Sequence, residues 1–184
     1  MLQAVLETIW IFLPAMAANM APVLAAHLPM LSHLKTPLDA GISWRGARLL
    51  GGNKTVRGLI TGVLAGAVTG ALQSFFYTIF PWVKDIALVS YEPLLFAGIF
   101  GATLGAGALG GDAAKSFIKR QAGVRPGQSL AILDQIDFVL GAAAVIYFFV
   151  TLTVLHLSIA LVLIGIASFV TSGIGVAFGI KKSL

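Results

Sequence analysis

Cysteine is absent from this sequence of 184 residues, and charged residues make up only 10% of it. The lack of cysteine excludes disulfides, thiolate catalysis and zinc sites built on cysteine. The three histidines are scattered and form no HExxH motif, which argues against a zinc hydrolase. A soluble domain usually carries about 25% charged residues. The low charge, together with 58% hydrophobic residues, therefore predicts an integral membrane protein.

Long apolar stretches predict an all-α fold with five transmembrane helices, because about 20 apolar residues are enough to cross a bilayer. The first stretch is longer than a straight crossing needs and contains three prolines, so we expect a tilted or broken helix there. No soluble domain is left over, and residues 1–184 are expected to form a single transmembrane domain. The predicted spans lie near residues 4–34, 58–80, 93–111, 138–155 and 157–180.

Basic residues are concentrated in two predicted loops, 35–57 and 111–137, and in the C-terminal tail, which together hold 11 of the 12 lysines and arginines. The positive-inside rule places these segments in the cytoplasm. The N-terminus is then outside and the C-terminus is cytoplasmic. The same rule explains the net charge of +5, so the basic composition does not call for a nucleic-acid partner.

Glycine recurs every fourth residue on three of the predicted helices. This spacing creates a flat stripe that another helix backbone can approach closely. We interpret the stripes as packing surfaces and not as part of a site. The glycines are Gly58, Gly62, Gly66 and Gly70 on the second helix, Gly101 and Gly105 on the third, and Gly175 and Gly179 on the fifth.

The loop 111–137 begins with polar residues at helical spacing. Asp112, Ser116 and Lys119 stand at i, i+4 and i+7, so they share one face if the third helix continues into this segment. Lys115 and Arg120 flank that face. The segment is therefore a candidate for binding an anionic ligand at the membrane edge.

A pair of acids, Asp134 and Asp137, stands at the start of the fourth predicted helix. At i, i+3 their Cβ atoms are about 5–6 Å apart, and two close carboxylates repel unless one is protonated or a cation lies between them. Mg²⁺ prefers oxygen ligands and keeps waters for substrate phosphates. The alternative is an acid pair favoured by the helix dipole. Asp112, which is also expected at the membrane edge, favours the metal site.

The loop 35–57 contains a glycine-rich stretch that resembles a phosphate cradle, in which glycine lets backbone N–H groups approach an anion and lysine adds charge. It is not a P-loop, because its lysine stands at the wrong spacing and no strand precedes it. The alternative is a glycine turn with basic anchors at the membrane. The candidate residues are Gly51, Gly52, Asn53, Lys54 and Thr55, with Arg45, Arg48 and Arg57 as further basic groups for phosphates or anionic lipid heads.

An amide, Asn19, lies within the first apolar stretch, where an unpaired polar group is costly. Pro22 follows it and frees backbone groups. Asn19 either reaches a polar ligand or hydrogen-bonds a neighbouring helix.

The stretch "GGDAAKSFIKRQAGVRPGQSLAILDQID" resembles the signature of the CDP-diacylglycerol synthase superfamily. Lys115 stands where the bacterial members have an acid, and the segment before Pro126 is shorter. The short five-span chain with "GGNKTVRG" and "DQIDF" is similar to the archaeal branch, the CDP-archaeol synthases. The matching positions are Gly111, Asp112, Ser116, Lys119, Arg120, Pro126, Gly127, Asp134 and Asp137.

This resemblance implies a cytidylyltransferase of phospholipid biosynthesis. The implied reaction transfers CMP from CTP to the phosphate of an archaeal diether lipid, 2,3-bis-O-geranylgeranyl-sn-glycerol 1-phosphate, with Mg²⁺ as cofactor and pyrophosphate as the second product. It implies a metal at Asp134 and Asp137, with Asp112 matching the first acid of the signature, and an active site facing the cytoplasm. Together with Lys119, these acids are the expected catalytic residues.

The remaining polar residues of the two loops are assigned to substrate by their charge, because two anions must meet in this reaction. We expect Lys119 and Arg120 at the lipid phosphate or the β- and γ-phosphates, and Lys54, Thr55 and Arg57 at the nucleotide. Lys115 either adds a nucleotide contact or balances charge.

Two other functions fit the composition. A CDP-alcohol phosphotransferase is also a membrane enzyme with clustered acids, but its signature needs further acids where residues 40–84 have none. An ion or solute transporter would place charged groups near the membrane midplane, whereas the acids here gather at one rim.

Overall fold

The computed structural model describes residues 1–124 and 133–179. The fold is a bundle of helices with one small β-hairpin in the segment that precedes the second long helix. The helices are α1 (Leu2–Ala25), a 3₁₀-helix (Pro29–Leu34), α2 (Val56–Ile79), α3 (Pro81–Asp85), α4 (Leu94–Gln121), α5 (Leu133–Ile146), α6 (Val154–Ile159), a π-helix (Ala160–Ile164) and α7 (Gly165–Ala177), and the hairpin strands are β1 (Ser43–Trp44) and β2 (Ala47–Arg48).

Four helical segments in the described part of the chain are long and apolar enough to cross a membrane. They are Leu2–Ala25, Val56–Ile79, Leu94–Gln121 and Val154–Ala177. The predicted all-helical membrane fold is therefore confirmed in its main architecture. The fifth crossing is not confirmed, because α5 has 14 residues and spans only about 21 Å of a hydrocarbon core about 30 Å thick. The orientation of the termini stays a prediction.

The ends of the first and third predicted spans can be compared with the structure. The first stretch is broken as expected: α1 ends at Ala25, and a short 3₁₀-helix with Pro29 at its first turn follows. Helix α4 continues to Gln121, so much of the predicted loop 111–137 is helical. The reason is that good helix formers such as alanine and lysine persist there, although the apolar run has ended.

The predicted glycine stripes pack α2 against α4. A Cβ atom at Gly66 would lie 2.4 Å from the backbone oxygen of Gly101, and one at Gly70 would lie 2.1 Å from that of Ala97. Only glycine permits such close approach of two helix backbones. The interpretation of these glycines as packing surfaces is confirmed on α2 and α4.

A second glycine contact joins α4 to α5. A Cβ atom at Gly111 would lie 2.2 Å from the backbone oxygen of Asp137, and one at Gly141 would lie 2.2 Å from that of Gly107. The two backbones therefore touch at the point where α4 carries Asp112 and α5 carries Asp137. This contact positions the acids described below.

The buried core lies where α1, α4, α5 and the π-helix meet. Helix α1 packs against both α2 and α4, and Gly105 lies beside Ala18 of α1 at the α2–α4 contact. The largest apolar side chains of this core are Ile11, Phe12, Phe100, Leu104, Phe138, Ile146 and Ile164.

Candidate active site

A cavity of about 540 Å³ opens at one end of the bundle. It is formed by α1, the segment before α2, the first turn of α2, α4, α5 and α7. Most of the residues predicted from the sequence to bind substrate or to act in catalysis line it. They are Asn19, Gly51, Gly52, Asn53, Lys54, Thr55, Asp112, Lys115, Ser116, Lys119, Arg120 and Asp134.

The three predicted acids converge on one ammonium group. The Nζ atom of Lys115 lies 3.0 Å from Oδ1 of Asp112 and 3.0 Å from Oδ1 of Asp134, and it also pairs with Oδ2 of Asp137. Asp112 and Lys115 are neighbours on one face of α4, as the helical spacing predicts. The two acids of α5 reach the same point because Gly111 lets α5 approach α4.

Two further lysines complete the charge cluster. Lys54 pairs with Oδ2 of Asp112, and Nζ of Lys119 lies 3.2 Å from both carboxylate oxygens of Asp134. The side chains of Lys119 and Asp137 are 10% and 7% exposed. Among the described residues, three carboxylates thus pair with three ammonium groups in a partly buried site, where such pairing offsets the cost of removing charge from water.

Asp39 organises the glycine-rich stretch, although it had no place in the sequence-based prediction. Its Oδ1 accepts hydrogen bonds from the Gly41 N–H (3.1 Å) and from Nη2 of Arg48 (2.5 Å). Its Oδ2 accepts from the backbone N–H groups of Leu50 (3.1 Å) and Gly51 (3.0 Å). A signal for Asp39 was available, since it is the one acid in the predicted loop 35–57.

The buried carboxylate of Asp39 stays ionised. Burial on its own raises its pKa, but the hydrogen bonds from Arg48 and from three backbone N–H groups outweigh burial and hold the pKa well below the usual range for aspartate. The loop that follows turns at Gly51, which has φ of +90°, a conformation that glycine adopts readily. Thr55 then caps α2 by accepting from the Gly58 N–H at 3.2 Å.

Three predicted basic residues lie outside the lining of the cavity. Arg48 is turned towards Asp39, and the guanidinium of Arg45 lies 5.5 Å from the ring centre of Trp44 in the hairpin. Arg57 is only 9% exposed, and its Nε and Nη1 atoms have no hydrogen-bond partner among residues 1–124 and 133–179. Contact of these three arginines with a substrate stays a prediction.

Three polar residues of α5 and α7 also line the cavity, namely Gln135, Ser168 and Ser172. The Ser168 hydroxyl donates to Oε1 of Gln135 at 2.7 Å. The sequence-based prediction missed these residues. Their signal was weak because single serines are common packing residues in membrane helices.

Comparison with known proteins decides the family. A family model described as CarS-like CDP-archaeol synthase matches residues 1–183. The chain belongs to the CDP-archaeol synthase family. It is 39% identical to the CDP-archaeol synthase of Aeropyrum pernix over 142 residues, which cover 77% of this chain and 69% of that protein. It is 35% identical to the enzyme of Pyrococcus furiosus over 144 residues, which cover 78% and 75%.

A solved structure agrees with the family. It is described as an intramembrane enzyme for archaeal membrane lipids biosynthesis, and it aligns with a TM-score of 0.74 at 32% identity over 92% of this chain and 94% of that one. Membership in the CDP-archaeol synthase family confirms the predicted resemblance and the predicted enzyme class, a cytidylyltransferase. A multi-pass membrane location is supported by the same neighbour and by the apolar helices.

The donor set of this CDP-archaeol synthase family member suits the predicted Mg²⁺. Carboxylate oxygens are the ligands that Mg²⁺ prefers, and one cationic group contacts all three of Asp112, Asp134 and Asp137. Within residues 1–124 and 133–179, no three acidic or histidine side chains surround an open metal position. The ammonium of Lys115 lies where the three acids meet.

Proposed function

We propose that this chain transfers CMP from CTP to the phosphate of 2,3-bis-O-geranylgeranyl-sn-glycerol 1-phosphate and releases pyrophosphate. The observation that carries the proposal is a cavity in which lysines and acids face apolar side chains of membrane-spanning helices. Lys54, Lys115 and Lys119 lie on its polar side, and Val23 and Leu109 lie on its apolar side. Its volume of about 540 Å³ falls in the usual range for ligand sites.

The reaction brings two anions together. An oxygen of the lipid phosphate attacks the α-phosphorus of CTP, a new P–O bond forms, and the bond to the β-phosphate breaks as pyrophosphate leaves with the electron pair. The lipid phosphate is already ionised at neutral pH, so no general base is required. What the site must provide is neutralisation of charge and an in-line arrangement of the two phosphates.

We assign different residues of the cavity to the nucleotide and to the lipid phosphate. Lys54 and the backbone N–H groups of residues 52 and 53 are suited to the phosphates of the nucleotide, because the bond from the Gly51 N–H to Asp39 and the cap at Thr55 hold that segment at both ends. Lys119 and Arg120 are suited to the lipid phosphate or to the departing β- and γ-phosphates. These lysines exchange an aspartate partner for a phosphate when substrate binds.

The metal belongs to the same proposal. Asp112, Asp134 and Asp137 would hold Mg²⁺, and the chemistry that Mg²⁺ supplies when bound is neutralisation of the triphosphate and of the departing pyrophosphate. The three acids keep their positions through the backbone contact of α4 with α5. Binding of the cation would require the Lys115 ammonium to leave the three carboxylates that it contacts.

The lipid and the nucleotide approach the cavity from different sides in this proposal. Asn19, Pro22 and Val23 of α1 border the cavity next to Leu59 of α2, which suits the glycerol and the first part of the isoprenoid chains. The basic segments at the other border suit cytosolic CTP, because basic residues concentrate on the cytoplasmic side. A cytoplasmic active site is part of the proposal.

A transfer assay tests the function. The purified full chain in detergent is given each of the four nucleoside triphosphates with a diether or a diacyl glycerol phosphate, and pyrophosphate and the nucleotide-lipid are measured. We expect product with CTP and the diether lipid in the presence of Mg²⁺. Absence of pyrophosphate with CTP and every lipid would overturn the proposal, and ion-driven solute uptake by vesicles containing the protein would favour the transporter instead.

A further inference from the structure

Lys115 occupies the point at which the proposed function needs a divalent cation. Its ammonium contacts Asp112, Asp134 and Asp137 together, and its side chain is only 16% exposed. A protonated amine has three N–H donors and no lone pair, so it cannot be a metal ligand. Metal and Lys115 ammonium therefore compete for the same carboxylate oxygens.

The charge balance of the cluster makes that competition unfavourable for a free metal ion. Three carboxylates already face three ammonium groups, and Arg120 adds a further positive charge at the cavity wall. A divalent ion that entered alone would displace Lys115 from three ion pairs and would leave that ammonium without a carboxylate. Repulsion between the divalent ion and the displaced ammonium would oppose binding of the ion.

A triphosphate changes this balance. It brings several negative charges together with the metal, and its oxygens offer the displaced Lys115 new partners. We infer that Lys115 is an internal counterion that makes metal binding depend on the nucleotide, so that the divalent ion enters with CTP and not before it. This inference rests on the proposed function, since it takes CTP as the substrate.

Lys54 provides a matched comparison. It is also a lysine of the cluster, but in the described part of the chain its ion pair is with Asp112, whereas Lys115 pairs with all three acids. Removing the Lys54 charge leaves Lys115 at the centre. Removing the Lys115 charge removes the ammonium that all three acids contact, and of the ion pairs described above it leaves those of Lys54 and Lys119.

Binding of Mn²⁺, a paramagnetic substitute for Mg²⁺, tests the inference without turnover. The full chain in detergent, without lipid, is titrated with Mn²⁺ in the absence and in the presence of CTP, and free Mn²⁺ is quantified by electron paramagnetic resonance. We expect the wild type to bind Mn²⁺ only weakly without CTP, and Lys115→Met to bind it at least about tenfold more tightly. Lys54→Met should stay within about threefold of the wild type.

Thermal unfolding of the same variants gives a second measurement. Without metal, Lys115→Met should unfold at a lower temperature than the wild type, and Mn²⁺ alone should restore its stability while leaving the wild type nearly unchanged. The double variant Lys115→Met/Asp137→Asn should lose the gained Mn²⁺ binding, because one carboxylate fewer remains.

Two outcomes would overturn the inference. One is a wild-type protein that binds Mn²⁺ equally tightly with and without CTP, which needs no variant and therefore does not depend on folding of Lys115→Met. The other is an equal gain of Mn²⁺ affinity in Lys115→Met and Lys54→Met. Failure of the proposed function would instead appear as a lack of lipid product in the transfer assay, whatever the Mn²⁺ result.

Discussion

Each end of the bundle contains partly buried pairs of acidic and basic side chains, and at one end a cavity lies beside them. At the cavity end, three aspartates share three lysines around an open space. At the other end, Oε2 of Glu7 lies 2.9 Å from Nε2 of His156. The second ring nitrogen of His156 lies 2.6 Å from the hydroxyl of Thr153, and Gln3 donates to the other oxygen of Glu7 at 2.9 Å.

The difference between the two ends separates a structural contact from a candidate site. Glu7 and His156 use their polar atoms on each other and on near neighbours in α1 and α6, so the pair ties two helices together. The acids at the cavity end hold lysines that also border the cavity. In the proposed function those lysines exchange a carboxylate for a phosphate. Burial of charge alone does not identify a site; access of a ligand to the charges does.

Asp137→Asn tests the cavity end most directly, and we expect its effect to be the largest. The loss of one anionic ligand should lower the rate of CMP transfer by at least about 100-fold, while the protein stays folded because the amide keeps the same volume. The measurements are kcat with CTP and diether lipid phosphate, and the unfolding temperature. Asp85→Asn, at an exposed acid of α3, is the control. Wild-type Mg²⁺-dependent turnover in Asp137→Asn would refute the metal role.

Gly111→Ala tests whether close packing of α4 and α5 assembles the acids. The added Cβ atom would lie 2.2 Å from the backbone oxygen of Asp137, so the helices must separate. We expect a loss of about 1–3 kcal/mol in unfolding free energy and a loss of activity of about 10-fold or more. Gly98→Ala on the same helix is the control, since its nearest contact would be 3.9 Å. Equal behaviour of the two variants would contradict the prediction.

Asp39→Ala tests the organisation of the glycine-rich segment. Four hydrogen bonds to one buried carboxylate are lost, so we expect a loss of about 2–3 kcal/mol in unfolding free energy and a higher KM for CTP with a smaller change in kcat. A stability loss with an unchanged KM would show that Asp39 does not position the nucleotide segment.

The dependence of the unfolding temperature on pH is a second test of the role of Asp39. Its pKa is lower in the folded protein than in the unfolded chain, so its stabilising contribution is complete above the unfolded value of about 3.9 and is lost as the pH falls towards the folded value. Unfolding temperatures between neutral and acidic pH should fall less steeply in Asp39→Asn than in the wild type. Parallel curves would be inconsistent with this assignment.

His156→Gln tests the other end and should have the smallest effect. We expect a loss of about 1 kcal/mol in unfolding free energy and unchanged kcat, because the contact is remote from the cavity. Glu7→Gln should cost a similar amount, and the double variant should cost less than the sum because both remove one interaction. A fall in kcat with normal stability would mean that this end takes part in catalysis.

Apolar length and glycine spacing predicted most of the helical architecture. Apolar runs identified α1, α2, α4 and the α6–α7 segment, because a bilayer crossing needs about 20 consecutive apolar residues and such runs can be counted in a sequence. The same criterion placed the fourth span at residues 138–155, whereas α5 is Leu133–Ile146. A helix can begin before an apolar run begins, because polar residues also form helices. Asp134 lies in the first turn of α5, which agrees with the prediction that the acid pair stands at the start of this helix.

The sequence by itself determined the membrane class, the family and the identity of the charged residues, because these depend on composition, local spacing and a recognisable motif. Only the tertiary structure decided which charges meet. Lys54 and Asp112 are 58 residues apart, and Lys115 reaches both acids of α5 because Gly111 lets two backbones touch. Long-range ion pairs depend on the distance between helices, which no local pattern of residues encodes.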